Sequence, residues 1–270
     1  MISLPRQPKI IEKKENWASF EIEALYPGYG TTIGNSLRRV LLSSLSGAAV
    51  TQMKIKGVVH EFSTLPGVME DVILIMQNLK KLRFKVYSDE PQKAHLKIKG
   101  VKEVKGSDFE LPSQIQLLDK NVHIAFLTDK KAELDMEIQI EKGIGYVPKE
   151  SRRKEKLEIG AMLIDAIFTP VKKVNYKIEN MRVGERTDFD RLFLEIETDG
   201  IISPEAAFSE ASEILVKHFS IFGETFAQSK EKAPIVRKKE KIKKEKAKKE
   251  KVKKVKKVKH AQTKKGKKTK

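Results

Sequence analysis

Tyr26-Pro27-Gly28-Tyr29-Gly30-Thr31-Thr32-Ile33-Gly34-Asn35-Ser36-Leu37-Arg38-Arg39-Val40-Leu41-Leu42-Ser43-Ser44 is the stretch on which the reading of the fold turns. Before it, Phe20, Ile22 and Ala24 alternate with Glu21, Glu23 and Leu25, the period of a strand with one buried face. Tyr26 to Gly30 reads as a turn. Ile33, Leu37, Val40, Leu41 and Ser44 then fall at helical spacing, with Thr31 or Thr32 as the cap and Ser46-Gly47 as the stop. A strand handing over to a helix through glycines raises the question of a phosphate-binding loop. Gly28-x-Gly30-x-x-x-Gly34 misses the G-x-G-x-x-G spacing, and a strand that alternates is not buried on both faces. A turn with a closely packed helix is the better reading.

Downstream, Met53 and Ile55 alternate with Gln52, Lys54 and Lys56 as a second strand. Pro66-Gly67 introduces a second helix with the stripe Val68, Val72, Ile75, Met76 and Leu79; Glu70 and Asp71 fall in its first turn, as the helix dipole favours. Residues 84–142 are strand-like, most clearly at Leu134, Met136, Ile138 and Ile140. Two further strands carry Val174, Tyr176, Ile178 and Leu192, Leu194, Ile196. A last helix opens on Ser203, a good N-cap, with Pro204 at the first helical position. Its apolar residues Phe208, Ala211, Ile214, Leu215, Phe219, Ile221, Phe222 and Phe226 make a stripe wider than docking on one sheet requires. A partner chain would explain the excess.

The 270 residues suit one large domain or two intermediate ones, and the absence of cysteine excludes disulfides, Cys-zinc sites and thiol catalysis. The longest apolar run, Val72 to Met76, is far shorter than the ~20 residues of a bilayer span. Met1 to Arg6 lacks the apolar core of a secretory signal, so a cytoplasmic protein is expected. The net charge of +18 has one source. Residues 230–270 hold 22 Lys and Arg against 4 Glu, while residues 1–229 hold 33 basic and 33 acidic side chains. An electrostatic case for nucleic acid therefore belongs to the tail, which is expected to be disordered for want of apolar surface. Lys243, Lys244, Lys253, Lys254, Lys256 and Lys257 are its candidate DNA contacts, nonspecific because ammonium groups meet phosphates without reading bases.

Catalytic apparatus is not visible. Asp188-Phe189-Asp190 is a D-x-D pair of the kind that can hold magnesium, but Arg186 and Arg191 flank it and favour a structural turn before the strand 192–198. His60, His95, His123, His218 and His260 show no metal-ligand spacing, and no G-x-x-x-x-G-K-[ST] loop occurs. No cofactor is expected. Arg38-Arg39 can be a pair of solvated side chains or, beside Leu42, a docking face.

Seven stretches in order resemble the amino-terminal part of the bacterial-type RNA polymerase alpha subunit family: 27–44, Gly57-Val58-Val59-His60-Glu61-Phe62-Ser63-Thr64, Gly67 to Val72, Lys142 to Pro148, Asp165 to Val171, Arg186 to Asp190, and Thr198 to Ala207. The resemblance spans roughly residues 5–227 and implies an α+β fold whose body has two subdomains. An α+β dimerisation unit (1–46 and 174–229) would carry an inserted mostly-β domain (47–173), with 230–270 as a basic tail. It implies a homodimer that recruits the beta and beta-prime subunits, takes no catalytic part in nucleotidyl transfer itself, and works in a bacterial cytoplasm or nucleoid or a plastid stroma. Family positions for large-subunit contact match Arg39 and Leu42, and more weakly Lys80 and Val171. The dimer interface would draw on Ile33, Leu37, Leu41, Phe208, Leu215, Phe219, Phe222 and Phe226. The family's small carboxyl-terminal helical domain is not expected within residues 230–270, which are too few and too polar to form one. The competing reading is a stand-alone basic nucleic-acid-binding protein whose neutral domain merely carries the tail.

Overall fold

The computed structural model of the chain describes residues 2–152 and 158–223. Strands β1 (Lys9–Lys14) and β2 (Trp17–Leu25) lead into helix α1 (Tyr29–Ser43), strand β3 (Ser46–Ile55) and helix α2 (Val72–Leu79). There follow β4 (Phe84–Val86), β5 (Gln92–Lys99), β6 (Lys102–Lys105), β7 (Ile115–Leu117), β8 (His123–Leu127), β9 (Glu133–Ile144), β10 (Tyr146–Val147), β11 (Ala161–Leu163) and β12 (Ala166–Ile167). Two long strands, β13 (Val171–Val183) and β14 (Arg186–Thr198), precede a helix α3 over 204–223. The fold is α+β.

Both ends of the body build one antiparallel sheet, in the order β1-β2-β14-β13. Its registers place Phe20 opposite Leu194 and Ala18 opposite Ile196, so the even-numbered residues of β2 and β14 share one face. That face, with Leu37, Leu41 and Leu45 and with Ala207 and Ala211 of α3, forms one core. The ring of Phe208 stacks on Phe20 at 5.0 Å between centroids. A second antiparallel sheet, β11-β3-β9-β5, supports a separate core with α2 and the short strand pairs. The alternation at Leu134, Met136, Ile138 and Ile140 is realised here with all four side chains buried.

The chain passes between the two cores near 45–48 and again near 168–171. Phe168 lies over the first crossing so closely that a Cβ on Gly47 would sit 1.8 Å from its carbonyl oxygen, and one on Gly143 2.7 Å from its ring. Gly47→Ala should therefore destabilise the chain by about 3 kcal/mol or more, since backbone must move to admit the methyl group. Urea unfolding measures it; a loss below about 0.5 kcal/mol, the usual range of a neutral surface change, would mean that the crossing yields easily.

Several local expectations are corrected. Helix α1 begins at Tyr29, before Thr31 and Thr32, because its cap comes from elsewhere in the chain. Gly28, at φ +83°, turns the backbone so that its own N–H and that of Gly30 donate to Asp190 Oδ2, at 2.9 Å each. Asp190 is thus the cap of a helix start 160 residues away, and it lies within β14 rather than in a turn before it. Arg186 pairs with Asp188, whereas Arg191 pairs with Glu21 and Glu23. Ser46 and Gly47 open β3 rather than closing the helix. Helix α2 starts at Val72, because Asp71 accepts from the Leu74 N–H as N-cap; Val68 and Glu70 stay outside it. The Ser203 cap is as expected: its Oγ accepts from Ala206 N–H at 3.3 Å.

Candidate functional site

Helix α1 has one face that is committed and one that is not. Gly30, Gly34, Leu37 and Leu41 line the committed face: a Cβ on Gly34 would stand 3.0 Å from both Leu192 and Tyr176. The glycines of the Gly28–Gly34 stretch therefore serve close helix–sheet packing and the capped turn. Leu37 and Leu41, expected at a dimer interface, are buried in the chain's own core. Arg38 and Arg39 point away from the sheet, exposed, with no acidic partner among the described residues. Leu42 and Ile33 are half-buried at the margin of the core.

Lys80, at the carboxyl end of α2, lies in a polar chain. Its Nζ donates to Asp165 Oδ2 at 2.7 Å, while Asp165 Oδ1 accepts from the Lys149 N–H at 2.9 Å. The Lys149 ammonium in turn contacts both oxygens of Glu61 at 3.0 Å. The Lys80 hydrogen bond and then the Lys149 amide hold the Asp165 carboxyl below the usual carboxylate range. The stability this contributes is present above the ordinary carboxylate pKa and is lost as pH falls through the depressed value. Asp165→Asn should lower stability by about 1 kcal/mol near neutral pH and by much less at about pH 3. Urea titrations at the two pH values check this, and an equal deficit at both would show that the charge is not what matters.

Val171, a weaker candidate for large-subunit contact, is 2% exposed and packed in the first core with Val174. On α3, Phe208 and Leu215 are half-buried against the first core. Farther along the same helix, Phe219 and Phe222 are 60% and 62% exposed, and Val216 and Ile221 are exposed too. The two phenylalanine rings meet edge to face, 6.5 Å apart. Phe226 and the tail lysines Lys243, Lys244, Lys253, Lys254, Lys256 and Lys257 lie outside the described residues, as does the tail's expected disorder.

Asp165, Glu61, Lys149 and the helix-capping role of Asp190 escape sequence reasoning. Lys80 and Asp165 stand 85 positions apart, and no local pattern marks such a pair. Among the described residues no group of three or more His, Asp or Glu could hold a metal, and no helix is long and apolar enough to cross a membrane.

Residues 53–169 match the family model of the RNA polymerase Rpb3/RpoA insert domain. The chain is 45% identical over 233 residues to the DNA-directed RNA polymerase subunit alpha of Roseiflexus sp. (strain RS-1), covering 86% of this chain and 71% of that protein. It is 46% identical over 242 residues to the subunit of the same name from Syntrophomonas wolfei, covering 88% and 76%. With that of Symbiobacterium thermophilum it shares 46% identity over 213 residues, 79% of this chain and 67% of the other.

Proposed function

The chain belongs to the family of DNA-directed RNA polymerase alpha subunits, and on that premise we propose that it is the homodimeric scaffold on which the two large subunits assemble. The observation that carries this reading is a helix with one face locked to its sheet and the other offering exposed Arg39 beside half-buried Leu42. Arginine next to apolar surface is favoured at protein interfaces, because its planar guanidinium pairs with carboxylates while its stem covers carbon. Arg39 and Leu42 meet the second-largest subunit; Lys80, oriented by Asp165, and Val171 are weaker candidates for the surface that meets the large subunits. The chain supplies structure, and the nucleotidyl transfer is carried out by groups of its partners. In this reading 1–46 and 174–229 form the dimerisation subdomain, and 47–173 the inserted one.

The apolar face of α3 supports dimerisation. Phe219 and Phe222 leave large aromatic area in water, and burying an aromatic side chain is worth on the order of 2–3 kcal/mol. Residues 230–270 attract DNA without reading it. Neutralising about six phosphates gives a log–log salt slope near −5. The protein acts in the cytoplasm, where polymerase and template meet.

Copurification tests the reading. A tagged full-length chain should recover two very large subunits, and 1–229 should recover them equally, with weaker and less salt-sensitive DNA binding. Recovery of neither large subunit would overturn the scaffold role. Loss of all function on deletion of 230–270 would favour the stand-alone basic protein instead.

A further inference from the structure

Two cores joined by two crossings of the chain leave a question of angle: what fixes the inserted part relative to the sheet that carries α1. Arg83, just beyond α2, stands at that junction. Its Nη1 donates to the carbonyl of Lys80 at 3.1 Å and more weakly to that of Leu82 at 3.4 Å, so the guanidinium is tied to the end of the helix that bears Lys80. Its own carbonyl accepts from the Leu118 N–H at the end of β7. Its Nε lies 3.3 Å from Asp199 Oδ2, and Asp199 belongs to the other side. Asp199 follows β14 directly; its N–H donates to the Pro170 carbonyl, and its Oδ1 accepts from Ile201 N–H three residues before α3 begins.

The Asp199 side chain is 1% exposed, and Oδ2 has no hydrogen-bond donor among the described residues, so Arg83 is the charge that faces it most closely, with Lys172 farther off. Burial outweighs the attraction and pushes the Asp199 carboxyl above the usual range. A pair of this kind adds little to stability, and buried charges are retained in some proteins for the geometry they impose. We propose that Arg83 and Asp199 are a positioning pair that sets the angle between the inserted part and the dimerisation sheet, and so places Lys80 and Arg39 for simultaneous contact with the large subunits. This rests on the scaffold reading above.

The absence of cysteine allows a direct test, because two introduced thiols are unique labels. Lys97→Cys on β5 and Lys177→Cys on β13 are both exposed and lie in the two different sheets. Spin labels there, in full-length chain diluted with unlabelled chain, report the angle as a distance distribution. Arg83→Met with Asp199→Asn removes the pair without leaving an orphan charge. The double variant should keep its melting transition and its dimer, yet broaden the distribution about twofold and recover large subunits roughly tenfold less well. An unchanged distribution overturns the proposal, and so does a broadened one with normal recovery. Asp199→Asn alone guards against a folding artefact, since its amide can still accept from Ile201 N–H; it should broaden the distribution in the same sense, and failure to do so counts against the pair. If the unsubstituted chain recovers no large subunit, the scaffold reading fails, whatever the distances show.

Discussion

Phe219→Asp combined with Phe222→Asp should turn a dimer into a monomer while leaving each chain folded. Both rings stand in water in the single chain, so neither substitution removes a contact of its core. In a symmetric dimer the pair counts twice, and each ring buried contributes on the order of 2–3 kcal/mol. Placing carboxylates there adds the cost of burying unpaired charge. The dissociation constant should rise by at least about a thousandfold, enough to give monomer at micromolar concentration in sedimentation. Far-ultraviolet circular dichroism should not change. A variant that stays dimeric removes this face of α3 from the interface. Leu215→Asp is a poorer probe, since Leu215 is half-buried against the chain's own core and a charge there threatens folding itself.

Arg39→Ala should leave the dimer and its stability within about 0.5 kcal/mol of the unsubstituted chain, as is usual for an exposed side chain. Recovery of the second-largest subunit should nonetheless fall by at least about tenfold, because arginines at interface centres are among the residues whose truncation costs most. Arg38→Ala is the control. Consecutive helical residues point about 100° apart, so it should change recovery far less. Normal recovery by Arg39→Ala would show that this face of α1 is not the docking face. Equal losses for both would indicate general electrostatic attraction rather than a specific contact.

Some of this protein is set by patterns only a few residues long. The alternation of Phe20 with Ile22 and of Leu134 with Met136 marks strands because a strand turns every second side chain to the same face. Ser203-Pro204 starts a helix because both residues act on backbone groups within one turn. The location of the charge excess in residues 230–270 needs no structure at all. Arg38-Arg39 and Leu42 are legible as a candidate face for the same local reason, since helical spacing sets them off the main stripe. Tertiary structure decided the rest, and in each case the deciding partner is remote in sequence. Asp190 begins α1 ahead of both threonines, with Gly28 at the cap position, because folding brings its carboxylate to two free N–H groups. Leu37 and Leu41 are buried inside the chain, because Tyr176 and Leu192 lie close against the glycine side of α1. Val171 is core because β13 runs beneath that helix. Lys80 acquires its orientation from Asp165, 85 positions away, and Arg83 its counter-charge from Asp199 of the other core, because side chains that far apart in the chain meet only once it has folded.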